Sequence, residues 1–253
     1  MKGADLSLGV CVYGKTAFSP QLTEQFSAHA LRWITTVRDE TPLLSRIMTG
    51  QHAVVTLFAD PMRFPNRGAS ASDLVTTNGT ANGTTRNEAK KLRTPLPDDY
   101  VYWALLLRQR RIPSWKGGVV GEKAKELSLD ITAEWDPSVR SILELQDASR
   151  TAAVHVYSTD PSLPPWEPSA CVTVLGDAVH AMPPSGAVGA VAALHDASIL
   201  AKRLVEDGMG VESIGAYEKE MREHAGAGIG TSLKAGEQLW NQPPFEECKE
   251  AKL

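Results

Sequence analysis

The residues best placed to do chemistry are Asp177 and the glycines and prolines that follow it. An apolar run, Cys171–Leu175, ends in Gly176-Asp177, and His180 comes three residues later. Pro183 and Pro184 then lead through Gly186 and Gly189 into an Ala/Leu-rich stretch. A short carboxylate just past a strand can accept hydrogen bonds from the hydroxyls of a polyol chain. Glycines let the backbone approach a flat ligand and tolerate dihedrals that a side chain forbids. A helix beginning there offers unpaired N–H groups and a partial positive charge, which suit an electron-rich heterocycle edge.

The elements that must position these groups are a strand over 171–175, a turn over 183–189 and a helix beyond it. Ala193, Ala197, Leu200, Ala201 and Leu204 follow the spacing of one helical face and predict close packing there. Upstream, apolar runs predict strands at Gly9–Tyr13, His52–Ala59, Tyr100–Arg108 and Ala152–Tyr157. Alternation along the third run puts Tyr100, Tyr102 and Ala104 on one face and Val101, Trp103 and Leu105 on the other. Ala124, Leu127, Ile131 and Trp135, then Val139, Ile142, Leu143 and Leu145, predict two helices broken at Pro137. A polar stretch from Pro65 to Arg93 reads as a long loop. A helical tail around Tyr217, loosened by the glycines at 226–230, runs to Pro243-Pro244.

Composition narrows the classes. The 253 residues can bury a sizeable core, and 42% hydrophobic with 22% charged residues is ordinary for a globular protein. A formal charge of −4 gives no reason to expect nucleic acid or an anionic membrane as partner. No apolar run reaches the ~20 residues of a membrane span. The start of the chain lacks the pattern of a secretion signal, which predicts a cytoplasmic protein. Cys11, Cys171 and Cys248 are odd in number and lack metal-ligand spacing, so they read as reduced thiols. Asn78-Gly-Thr and Asn82-Gly-Thr match glycosylation acceptors and are read as turns.

The compound pattern at 171–204 is strand, Gly-Asp-Ala-x-His, Pro-Pro, spaced glycines, then Asp196-Ala197 in a helix. It resembles the flavin-cradling segment of the FAD-dependent aromatic hydroxylases related to salicylate hydroxylase. Gly9–Thr16 resembles the strand that opens the substrate half in fungal members. The resemblance implies an α/β fold of α+β character, equivalent to the C-terminal part of the FAD-dependent monooxygenase fold. It implies three regions: a substrate-side sheet with helices at 1–168, a residual FAD-binding segment with C-terminal helices at 169–240, and a tail at 241–253. Cofactor contacts would fall on Gly176, Asp177, Pro183, Gly186, Ala187, Val188, Gly189, Ala190 and Val191. Ala187 stands where the family usually has a second consecutive glycine, and Val191 where many members have asparagine. A positive φ at Ala187 would cost of order 1 kcal/mol.

No G-x-G-x-x-G strand–turn–helix for a pyrophosphate occurs in the sequence. The expectation is therefore a shortened fold, its exposed sheet covered by a homodimer or a partner chain. Candidates for acid–base work are His180, His52, Tyr102 and Arg108; His155 also falls near a strand. Asp196 is expected to bond a backbone or a neighbouring strand. Two functions stay open. One is an FAD-dependent monooxygenase, reduced by NAD(P)H, acting on an aromatic or polyketide-type small molecule in natural-product metabolism. The other is a relative without flavin that performs a cyclisation, isomerisation or dehydration in the same pocket. A binding or partner-dependent subunit is a third.

Overall fold

The computed structural model describes residues 6–39, 54–64, 97–108, 112 and 117–247. Six strands, β1 (Leu6–Ala17), β2 (Thr35–Asp39), β3 (Val55–Met62), β4 (Tyr100–Leu107), β5 (Val119–Val120) and β6 (Ala152–Ser158), are described. They form one antiparallel sheet with the order β2-β3-β4-β1-β6-β5. The helices are α1 (Pro20–Gln25), α2 (Glu122–Ile131), α3 (Pro137–Glu144), α4 (Asp177–His180), α5 (Gly189–Glu206) and α6 (Val211–Trp240). Pro137 opens α3 as its first residue, where its missing N–H costs nothing, and Asp136 caps it through the Ser138 N–H.

The period-2 alternation of β4 sorts its side chains between two cores. Val101, Trp103, Leu105 and Leu107 pack with Val10, Val12, Val55, Leu57 and the helices α1 to α3. Ala104 and Leu106 face the other way, with Leu8, Cys11 and Val156, against α6. A buried chain fastens the first core, in which Trp103 Nε1 donates to Thr16 Oγ1 (3.1 Å) and Thr16 donates to the Ile142 carbonyl (2.6 Å).

Helix α6 is the beam of the second core. It tolerates the glycines at 226, 228 and 230, each worth about 1 kcal/mol against helix. Its buried face holds it: Tyr217, Met221, Ala225, Ile229 and Trp240 are fully sealed. Its last carbonyls are met by the sheet, where Thr56 Oγ1 donates to Leu239 O (2.7 Å) and Arg38 donates to Gln238 O (3.0 Å).

Two local expectations differ. Residues 171–175 form no strand: Cys171 lies in a bend and 172–175 have no regular structure. They are held instead from α6: the Tyr217 hydroxyl donates to the Val174 carbonyl (2.9 Å), and the Thr173 side chain donates to Glu218 Oε1 (2.9 Å). Among the described residues no strand lies beside them, so the β-prone sequence has nothing to pair with. The buried face of α5 is Ala192, Asp196 and Ile199, one residue from the predicted face. Ala197 and Ala201 are exposed, because the polar Asp196 turns inward. The loop at 65–93, the turns at Asn78 and Asn82, and Cys248 lie outside the described residues.

Candidate functional site

The segment after Gly176 folds as a tight succession of turns. Gly176 adopts φ +61°, a conformation that favours glycine, and α4 begins at Asp177. A 3₁₀ turn follows at Pro184–Gly186, and Ala187 takes the left-handed conformation, φ +53°. Val188 then precedes α5 and offers no side-chain acceptor to its first turn. The positive φ at Ala187 is therefore realised, and the alanine carries its Cβ penalty. Gly189, Ala190 and Val191 form that first turn, and Ala190 and Val191 are exposed.

Asp177 is exposed, and among the described residues no protein donor meets its carboxylate. An exposed carboxylate thus precedes a helix start whose N–H groups lack a side-chain cap. That donor and acceptor set fits a flavin nucleotide, with the carboxylate for polyol hydroxyls and the N–H groups for a heterocycle edge. Gly186 also packs against α6. A Cβ there would lie 2.4 Å from Ser232 Oγ and 2.9 Å from Ser232 Cα, so its bareness lets α6 approach the turn. Pro183 is buried beneath it.

The turn is anchored to the sheet through Trp240, whose Nε1 donates to Ser185 Oγ (2.9 Å). The indole packs where a Cβ on Gly9 would stand 2.6 Å from it and 2.5 Å from the Leu107 carbonyl. This places the turn at the end of β4 where Arg108 follows. Tyr102, five residues before Leu107, lies roughly 17 Å from that end of the strand at a rise of about 3.4 Å per residue. Arg108 and Tyr102 are therefore not brought together, and His52 lies outside the described residues. Tyr102 sits between Lys15 on β1 and Asp60 on β3 in register. Burial, with Cys11 and Tyr13 adding to it, pushes its phenol up to about 12. His155 lies on the opposite face, near Tyr157, and burial pushes its imidazole down. A separate cavity of about 470 Å³, lined by Phe26, His29, Trp33, Val37 and Val139, is remote from the turn.

His180 is fully buried, and its Nε2 meets Asp196 Oδ2 at 2.6 Å. Asp196, also sealed, accepts from the Gly176 N–H (2.8 Å), so the expected bond to backbone is present. Its other oxygen meets His224 Nε2 at 2.8 Å. His224 was not legible as a site residue. It lies 28 residues from Asp196 and arrives only because α5 and α6 pack as an antiparallel pair. Among the described residues no group of three or more His, Cys, Asp or Glu could hold a metal. None of their helices is long and apolar enough to cross a membrane.

A match to the FAD binding domain family covers residues 169–229, spanning this whole turn. The dual O-methyltransferase/FAD-dependent monooxygenase CTB3 of Cercospora beticola is 37% identical over 252 residues, covering 95% of this chain and 26% of that protein. Salicylate hydroxylase of Pseudomonas putida is 34% identical over 136 residues, 51% of this chain and 30% of that protein. Among solved structures, one described as an FAD-containing monooxygenase from Photorhabdus luminescens superposes with a TM-score of 0.65 at 24% identity, covering 94% of this chain and 56% of that one.

The fold and turn are thus those of a flavoprotein monooxygenase. The chain is similar to the FAD-dependent monooxygenases related to salicylate hydroxylase, and its fold corresponds to the C-terminal part of theirs. It spans about a quarter of the length of CTB3 and about half of the solved structure.

Proposed function

We propose that this chain supplies the flavin-ring and substrate sides of an FAD-dependent monooxygenase that uses NAD(P)H. The observation that carries the reading is the Asp177 carboxylate, exposed and without a protein donor among the described residues, ahead of the start of α5, which has no side-chain cap. Asp177 would accept from the ribityl hydroxyls, while the backbone over Pro183–Val191 would meet the isoalloxazine edge. Bound there, FAD would supply the oxygen-activating chemistry. The protein's part is to orient the ring, exclude water and hold the substrate.

The substrate would be an aromatic or polyketide-type small molecule of natural-product metabolism, in the cytoplasm. It would lie against the sheet face that carries Tyr13, Phe58 and Tyr102. The neutral Tyr102 phenol would donate or accept a single hydrogen bond there rather than act as a base. Residues 1–168 would form this substrate side, 169–240 the flavin segment and 241–253 a tail. The exposed apolar side chains Val172, Leu175, Val191, Leu194 and Val205 would be sheltered by a covering unit, such as a nucleotide-binding unit or a second copy.

The test is Asp177→Ala in a flavin titration. A charge-assisted hydrogen bond is worth about 1.5–3 kcal/mol, so FAD should bind roughly 10- to 150-fold more weakly at unchanged melting temperature. Unchanged flavin content would remove the assigned role. Turnover of a substrate without added FAD would favour a non-redox reaction in the same pocket.

A further inference from the structure

The contacts of Asp196 can be counted proton by proton. Oδ2 accepts from the Gly176 N–H and from His180 Nε2, at 2.8 and 2.6 Å. His180 Nδ1 is buried and has no partner among the described residues, so a proton there would be an unpaired buried N–H. His180 is therefore satisfied as the neutral Nε2–H tautomer. His224 differs. Its Nδ1 faces the Glu220 carbonyl at 3.0 Å, and its Nε2 faces Asp196 Oδ1 at 2.8 Å. A carbonyl and a carboxylate both only accept, so both contacts are hydrogen bonds only when both ring nitrogens carry hydrogen. The trio then holds one proton more than two neutral imidazoles and a carboxylate, and the sealed carboxylate gains its counter-charge.

We propose that His224 is a positioning residue. As an imidazolium it holds Asp196 in the orientation that fixes the Gly176–His180 turn, so FAD retention weakens when His224 loses its proton. This rests on the flavin reading of that turn. The site is well placed for such control, because Asp196 bonds the backbone of the residue immediately before Asp177. His224, at 21% side-chain exposure, is the member that solvent can reach.

The surrounding groups fit one added positive charge. The His195 ring centroid lies 4.5 Å from that of His224 across the α5–α6 seam. On α6, Glu220 is engaged by Arg203 of α5 (3.2 Å). Glu218 accepts from Thr173 and lies 4.0 Å from Arg222, which itself stacks on Trp166. Tyr217 feels the Asp196 and Glu218 charges and donates to Val174 O. None of these provides Asp196 with a hydrogen-bonded cation, a place that His224 alone fills among the described residues.

The experiment combines FAD titration with histidine and amide NMR on the full chain and on His224→Gln, whose amide can reach Asp196 without charge. At about pH 6 both His224 ring nitrogens should show protonated ¹⁵N shifts. The Gly176 amide signal should move as His224 gives up its second ring proton. FAD affinity of the native chain should fall about tenfold across that change. In His224→Gln the affinity should sit at the weaker value and be flat with pH, and the Gly176 titration should vanish. A His224 ring with one protonated nitrogen at about pH 6, or a Gly176 amide indifferent to the substitution, overturns the proposal. If neither protein takes up FAD at any pH, the flavin reading fails, while the two NMR signals still decide the clamp.

Discussion

Gly186→Ala separates two reasons for a glycine in the flavin turn. If the bare backbone serves the ligand, the substitution should spare the fold and remove FAD. The packing says otherwise. The added Cβ would meet Ser232 Oγ at 2.4 Å and Ser232 Cα at 2.9 Å, and the second of these is backbone of a 30-residue helix. Overpacking of this kind costs about 1–3 kcal/mol. For a chain of this size, each kcal/mol lowers Tm by about 2–4 °C. Gly186→Ala should therefore melt roughly 2–12 °C lower, measured by calorimetry without added ligand. Ser232→Gly removes the Oγ contact but leaves the one to Cα. The double variant should thus recover part of the loss, with a coupling of about 0.5 kcal/mol or more beyond the sum of the single changes. A Gly186→Ala protein that melts with the parent, or a double variant that is merely additive, would refute the helix-packing account.

Three further outcomes follow from the same geometry. Ala187→Gly relieves a left-handed alanine worth about 1–2 kcal/mol, and it returns about 0.4–1 kcal/mol of unfolded-chain entropy. A small net gain in the urea midpoint is expected, and a loss would contradict the φ of +53°. Burial pushes the Cys11 thiol up to about 12 from 9.0, so between those values the unfolded chain has lost a proton that the folded chain retains. Stability is then complete below about pH 9 and falls by up to about 1.4 kcal/mol per pH unit above it. Cys11→Ala should flatten that alkaline slope in urea titrations, and an unchanged slope would count against the burial. Gly9→Ala drives a methyl into Trp240 and the Leu107 carbonyl, so it should lower Tm and shift the Trp240 emission; native emission would be the contrary result.

Much of this was legible in the sequence because the relevant forces are local. The alternation in Tyr100–Leu107 sorts side chains between two cores, and Pro137 places a helix start where a missing N–H is harmless. The Gly-Asp and Pro-Pro spacing located the turn, and the αL demand at Ala187 followed from the family pattern. What escaped depends on pairings far apart in the chain. Residues 171–175 have the composition of a strand, but strand formation needs a neighbour. The spacing of the apolar residues alone misplaces the face of α5 by one residue, because two histidines and a backbone N–H pull Asp196 inward. His224 and Trp240 carry no motif. Only the antiparallel packing of α5 on α6, and of α6 on the sheet, brings them to the turn.

The most direct test of the central claim is the visible absorption spectrum of the purified chain, taken before and after incubation with FAD and removal of free ligand. A flavin spectrum that stays with the native protein and is lost from Asp177→Ala is the predicted result. A well-folded, colourless chain that ignores FAD would contradict the account.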